Sequence, residues 1–143
     1  MKIYISNDHR GVGLKLYLQQ MLTADGYDVV NLGVDTALPK VDFPEVAQRV
    51  TDAMLGDVES RGIVICGGGG GVVITANRFR HIRATRCSRP AEAAYDRIHD
   101  DINVLALGAD EIDIEQAFMC AQLFLETEFD ATERRVRRIR AIS

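Results

Sequence analysis

The sequence predicts an α/β fold: a three-layer, Rossmann-like sandwich in which helices cover both faces of a five-stranded parallel sheet, as a single domain over residues 1–143. Short runs rich in Ile, Val and Leu alternate with longer segments of helical period to the end of the chain, the signature of a parallel sheet between helices. At 143 residues there is material for one hydrophobic core and not for two. Lys2 to Ser6 reads as the first strand, and Val12 to Thr23 as a helix with Leu14, Leu18, Met21 and Leu22 on one face. Tyr27 to Leu32 is the second strand, followed by the one sizeable loop, Gly33 to Asp42. Phe43 to Leu55 repeats the helical spacing through Val46, Val50 and Met54. Gly62 to Cys66 is the third strand, and Val72 to Phe79 a helix beyond the glycines at 67 to 71. Arg83 to Cys87 forms the fourth strand; Ser88 as N-cap with Pro90 in the first turn opens a helix ending near His99. Asn103 to Leu107 is the fifth, Ile114 to Thr127 another helix, and an arginine-rich helical tail starts at about 132.

Composition excludes several classes of function. Hydrophobic residues are 47% and charged residues 27%, which are globular values, so disorder is not the organising theme. The longest apolar runs fall far short of the roughly 18 residues needed to span a bilayer, and the first residues turn polar too early for a signal peptide, so a soluble cytoplasmic protein is expected. A formal net charge of −4 argues against nucleic acid or an anionic membrane as partner. The arginines at 134, 135, 137, 138 and 140 read mainly as a solvated helical face. Cys66, Cys87 and Cys120 have neither disulfide nor zinc spacing, and His9, His81 and His99 are scattered; neither metal nor cofactor is expected.

In an open parallel sheet, ligands bind beyond the carboxyl ends of the strands. Two loops there carry the densest signal: Asn7-Asp8-His9-Arg10-Gly11 after the first strand, and Cys66 with Gly67, Gly68, Gly69, Gly70 and Gly71 after the third. A run of five glycines contributes no packing, so it is either a flexible turn or a place where backbone approaches a ligand. It lacks the lysine of a P-loop and the spacing of a dinucleotide-binding loop. A cysteine phosphatase requires an arginine at the position of Val72. What remains is a thiol beside free amides, surroundings that favour a thiolate. Cys66 is then either a small buried side chain or a base, and the amides would suit the oxyanion formed when a proton leaves carbon beside a carbonyl. Cys87 and Cys120 read as core residues.

These residues resemble a known family, the ribose-5-phosphate isomerase B and galactose-6-phosphate isomerase (RpiB/LacAB) family. The resemblance runs through NDHRG at 7 to 11, DFPEVA at 42 to 47, GIVICGGGGG at 62 to 71, TANRF at 75 to 79, IRA at 82 to 84 and HDDINVLALG at 99 to 108. It implies a sugar-phosphate aldose-ketose isomerase of carbohydrate metabolism, by default converting ribose 5-phosphate to ribulose 5-phosphate through an enediolate. By the same resemblance, Cys66 is the base and His99 the acid that helps open the sugar ring. Asp8 and His9 hold substrate, and the amides of Gly67 to Gly71 bind the enediolate. His99 falls just before the fifth strand, on the amino edge of the sheet, whereas Cys66 is on the carboxyl edge, roughly 16 Å away along a five-residue strand. A site using both therefore takes them from two chains, in a homodimer or dimer of dimers.

The sequence departs from the family at four places. Gly68 stands where a threonine usually assists the cysteine, and Asp100 where an asparagine usually contacts substrate. Asp110 replaces an arginine, and the C-terminal GGRHxxRV segment reads DATERRVRRI, in which only Arg135 matches its second arginine. Arg135 is thus the expected phosphate contact, with Arg10, Arg134 or Arg137 as substitutes for the others. Weak binding of ribose 5-phosphate is expected. Another tetrose, pentose or hexose (phosphate), an unlike partner subunit, and a non-catalytic sugar-phosphate-binding module are the alternatives.

Overall fold

The computed structural model describes all residues 1–143. Eleven elements follow one another as β1 (Lys2–Asn7), α1 (Val12–Ala24), β2 (Asp28–Asn31), α2 (Phe43–Met54), β3 (Arg61–Cys66), α3 (Gly70–Ala76), β4 (Ala84–Arg86), α4 (Pro90–Asp100), β5 (Val104–Gly108), α5 (Ile114–Glu126) and α6 (Glu133–Ile142). The five strands are all parallel, in the order β2-β1-β3-β5-β4. The expected strands are all present, to within a residue or so at their ends. No helix is long and apolar enough to cross a membrane.

The central strands are apolar on both faces because helices cover both. Ile63, Ile65, Leu105 and Leu107 point into a core with Leu14, Leu18 and Leu22 of α1, Ala93 of α4 and Phe124 of α5. Their neighbours Val64, Cys66, Val104 and Ala106 alternate onto the opposite face, against Val46, Val50 and Met54 of α2 and Val72 and Ala76 of α3. Each fully buried Ile, Leu or Val contributes about 1.5–3 kcal/mol, so the central strands fix the register of the whole sheet.

Three local expectations are corrected. The third helix begins at Gly70, inside the glycine run, and spans seven residues rather than starting at Val72. The N-cap of α4 is Arg89, one residue after Ser88; Glu92 reaches back to accept from the Ser88 and Arg89 amides at 2.9 and 3.1 Å, and Pro90 takes the first helical position. On α1, Met21 is only half-buried and Lys15 is fully buried. Lys15 Nζ donates to Asn31 Oδ1 at 3.2 Å and pairs with the Asp35 carboxylate. The Lys15 hydrogen bond holds Asp35 below the usual carboxylate range. A charge without water is tolerated here because its partners come from the end of β2 and the loop beyond it.

Candidate active site

The strand order reverses direction at β1, because β2 lies on one side of it and β3 on the other. The loop after β1 and the loop after β3 meet at this switch point, which is where such sheets bind ligands. The two loops are joined directly: the Asp8 amide donates to the Ile65 carbonyl at 3.0 Å. Asp8 is almost fully buried, and its Oδ1 accepts from the Arg10 and Gly11 amides at 2.9 and 3.2 Å, folding the turn that displays His9 and Arg10. His9 Nδ1 lies 3.3 Å from the Val41 carbonyl, so the long loop 33–42 steadies the imidazole.

Cys66, the last residue of β3, is buried, and its Sγ accepts a hydrogen bond from the Gly69 amide at 3.1 Å. Gly69 sits in the left-handed region at φ +80°, which turns that amide back onto the sulfur. The carbonyls of the loop point elsewhere. That of Cys66 accepts from Ala109 N at 2.8 Å, that of Gly67 from Asp110 N at 3.0 Å, and that of Gly68 from Arg86 Nε at 2.7 Å. Gly67 packs beneath an ion pair between Arg10 and Asp110, 2.5 Å apart, and Gly71 against the ring of Phe43. At Gly68, by contrast, a Cβ would meet nothing within 4 Å. Gly68→Thr is therefore expected to keep stability within about 0.5 kcal/mol. Gly69→Ala is expected to lose about 1–2 kcal/mol and most of any turnover, since it strains the backbone that aims the amide. Thermal melts beside activity assays separate the two.

The other expected residues gather at the opposite edge of the sheet. β3 and β5 run in register from Gly62 beside Val104 to Cys66 beside Gly108, and His99 lies in the last turn of α4, which enters β5 from its amino end. Asp100 ends that helix. Asp101 takes a left-handed conformation, and its carboxylate binds Arg83 at 2.9 Å and Arg97 at 2.8 Å, locking the turn that presents His99 and Asp100. Arg135 Nη2 donates to His99 Nδ1 at 3.1 Å, and its Nη1 pairs with Asp130. In the neutral imidazole this leaves the ring proton on Nε2. Tyr95 stacks on the same ring at a centroid distance of 4.1 Å. Burial raises the neighbouring Asp96 carboxyl above its usual range, although Thr85 donates a hydrogen bond to it. The structure thus groups Asp8, His9, Cys66 and Gly67 to Gly71 at one edge, and His99, Asp100 and Arg135 at the other.

Sequence reasoning passed over Arg86, Tyr95 and Asp130. Tyr95 was accessible to it, being one helical turn before His99. Arg86 acquires its partner only through tertiary folding, and Asp130 pairs with Arg135, five residues on, only because the chain turns there into α6. Cys87 and Cys120 are buried with their sulfurs 3.1 Å apart, in the core as expected.

The family model described as Ribose/Galactose Isomerase matches residues 3–142 of this chain. The chain belongs to that isomerase family. It is a sugar-phosphate aldose-ketose isomerase, and its relatives cover it almost end to end. Ribose-5-phosphate isomerase B of Escherichia coli (strain K12) is 36% identical over 142 residues, which are 99% of this chain and 94% of that protein. A ribose 5-phosphate isomerase from Thermotoga maritima superposes with a TM-score of 0.93 at 38% identity, covering 99% of this chain and 96% of that one. The Mycoplasma genitalium enzyme, solved with bound ribulose-5-phosphate, gives a TM-score of 0.94 at 32% identity over 99% of this chain and 93% of its own. Membership in the isomerase family makes proton transfer at a sugar carbon the chemistry of this chain.

Proposed function

We propose that this isomerase interconverts ribose 5-phosphate and ribulose 5-phosphate, with Cys66 as the base and His99 supplied by a second copy of the chain. The observation that carries the reading is the Gly69 amide on Cys66 Sγ at the end of β3, inside a loop whose carbonyls are turned away. The substrate first opens: His99 passes its Nε2 proton to the ring oxygen as the C1–O bond breaks, and the proton released by the C1 hydroxyl returns through solvent to the same imidazole nitrogen, leaving the open aldehyde. The Cys66 thiolate then takes the proton from C2. The electron pair forms the C1–C2 double bond, and charge builds on O1, where loop amides stabilise it. Transfer of the O2 proton to O1 and return of the carbon proton from Cys66 to C1 then leave the ketose and restore the thiolate. Asp100 lies beside His99 as a further substrate contact, and Asp8 and His9 border the opposite side.

Phosphate recognition differs from the family pattern. Asp110 stands where the family usually has an arginine, and across from it Arg10 supplies the cation. Arg10 is charge-paired, so its pull on a phosphate is reduced, and Arg135 is engaged by Asp130 and His99. Ribose 5-phosphate is accordingly expected to turn over with a raised KM. The test is a panel of tetrose, pentose and hexose phosphates and the free sugars, scored for ketose formation, with inorganic phosphate as competitor. Conversion of ribose 5-phosphate, inhibited by phosphate, supports the reading; conversion of free sugars only, indifferent to phosphate, overturns it.

A further inference from the structure

We infer that Arg86 is a positioning residue for the reactive thiol, acting through the single peptide unit between Gly68 and Gly69. The inference rests on the reading of Cys66 as the base. The Gly68 carbonyl and the Gly69 amide belong to one planar unit, so their directions are locked together. The carbonyl accepts from Arg86 Nε at 2.7 Å, and the amide donates to Cys66 Sγ at 3.1 Å. A guanidinium thus sits at one end of a two-bond relay whose other end is the sulfur.

The loop itself offers little else to hold this unit. Residues 67–71 carry no side chains, and the neighbouring carbonyls of Cys66 and Gly67 are held by the backbone amides of Ala109 and Asp110. The Gly69 carbonyl accepts the first hydrogen bond of α3, from Val73 N at 3.4 Å. Between those anchors, the peptide unit that matters for the thiol is held on its carbonyl side by Arg86, which comes from β4 at the far edge of the sheet. If that unit flipped, a carbonyl would face the sulfur, and a negative dipole would meet a developing thiolate. Arg86 prevents this, and its charge also polarises the peptide so that the amide becomes a stronger donor.

The test compares Arg86→Ala and Arg86→Lys with the unaltered enzyme in two measurements. The first is steady-state kinetics on whichever sugar phosphate turns over. The second is the rate of iodoacetamide alkylation at neutral pH, scored by peptide mass spectrometry at Cys66 alone. Arg86→Ala is expected to lower kcat about tenfold with KM within twofold, and to slow alkylation of Cys66 by a similar factor. Arg86→Lys, which retains a charged donor, is expected to recover most of both. Faster alkylation in Arg86→Ala would mean that the arginine only closes the loop, and a raised KM with unchanged kcat would make it a substrate contact; either result overturns the inference. So would unchanged values in both measurements. The alkylation readout is independent of turnover: if Cys66 proves dispensable for isomerisation, the relay from Arg86 still stands or falls on the alkylation rates.

Discussion

Cys66→Ala is expected to abolish most of the isomerase activity, with kcat falling by about 10²-fold or more. The sulfur is the group held at the end of β3 by the Gly69 amide, and no carboxylate hydrogen-bonds to it in its place. The substitution removes a small buried side chain next to Val64 and Val72 in the core, so the fold should survive. Circular dichroism and a thermal melt check that it does. Cys66→Ser sharpens the result, because a hydroxyl keeps the shape and the hydrogen bond but is a far weaker acid; it should be nearly as inactive. Near-normal turnover by either variant would remove the cysteine from the mechanism.

Mixing two dead enzymes should give a live one. A Cys66→Ala chain retains His99, and a His99→Ala chain retains Cys66. If each site draws one residue from each copy, a mixed dimer holds one intact site and one doubly defective site. With equal amounts and free exchange, half of the dimers are mixed, so about one quarter of the wild-type sites are rebuilt. Activity should rise from the background of the separate variants to roughly that fraction. Exchange is confirmed independently by mass spectrometry of differently tagged chains. Proven exchange without recovery would place both residues' roles within a single chain, contrary to their positions at opposite edges of the sheet.

How much of this was readable beforehand depended on where each residue's partners lie. The central strands β3 and β5 were legible because burial on both faces demands unbroken runs such as Ile63-Val64-Ile65, whereas the edge strands β2 and β4, only partly buried, were legible from their place between helical segments. Asp8, His9 and the glycine run were legible as a candidate site through their position after strands. The start of α3 was not, because glycines carry no side chains from which to read a helical period. Lys15 reads as a surface lysine until Asn31 and Asp35 are folded against it. The C-terminal motif marks Arg135 but does not show that its guanidinium meets Asp130 and His99. Arg86 was invisible for the same kind of reason: it depends on β4 lying outside β5, an exchange of strand order that no local pattern records.

The anchoring of the loop after β3 also bears on transplantation. Its shape is a cast taken from other segments, since the amides of Ala109 and Asp110 and the side chain of Arg86 hold successive carbonyls in place. Grafting Cys66 to Gly71 onto another parallel sheet would carry the composition and leave the mould behind. The smallest portable module is the β3-β5-β4 trio with its loops, and a redesign of this enzyme that replaced the segment after β5 would be editing the candidate active site at a distance.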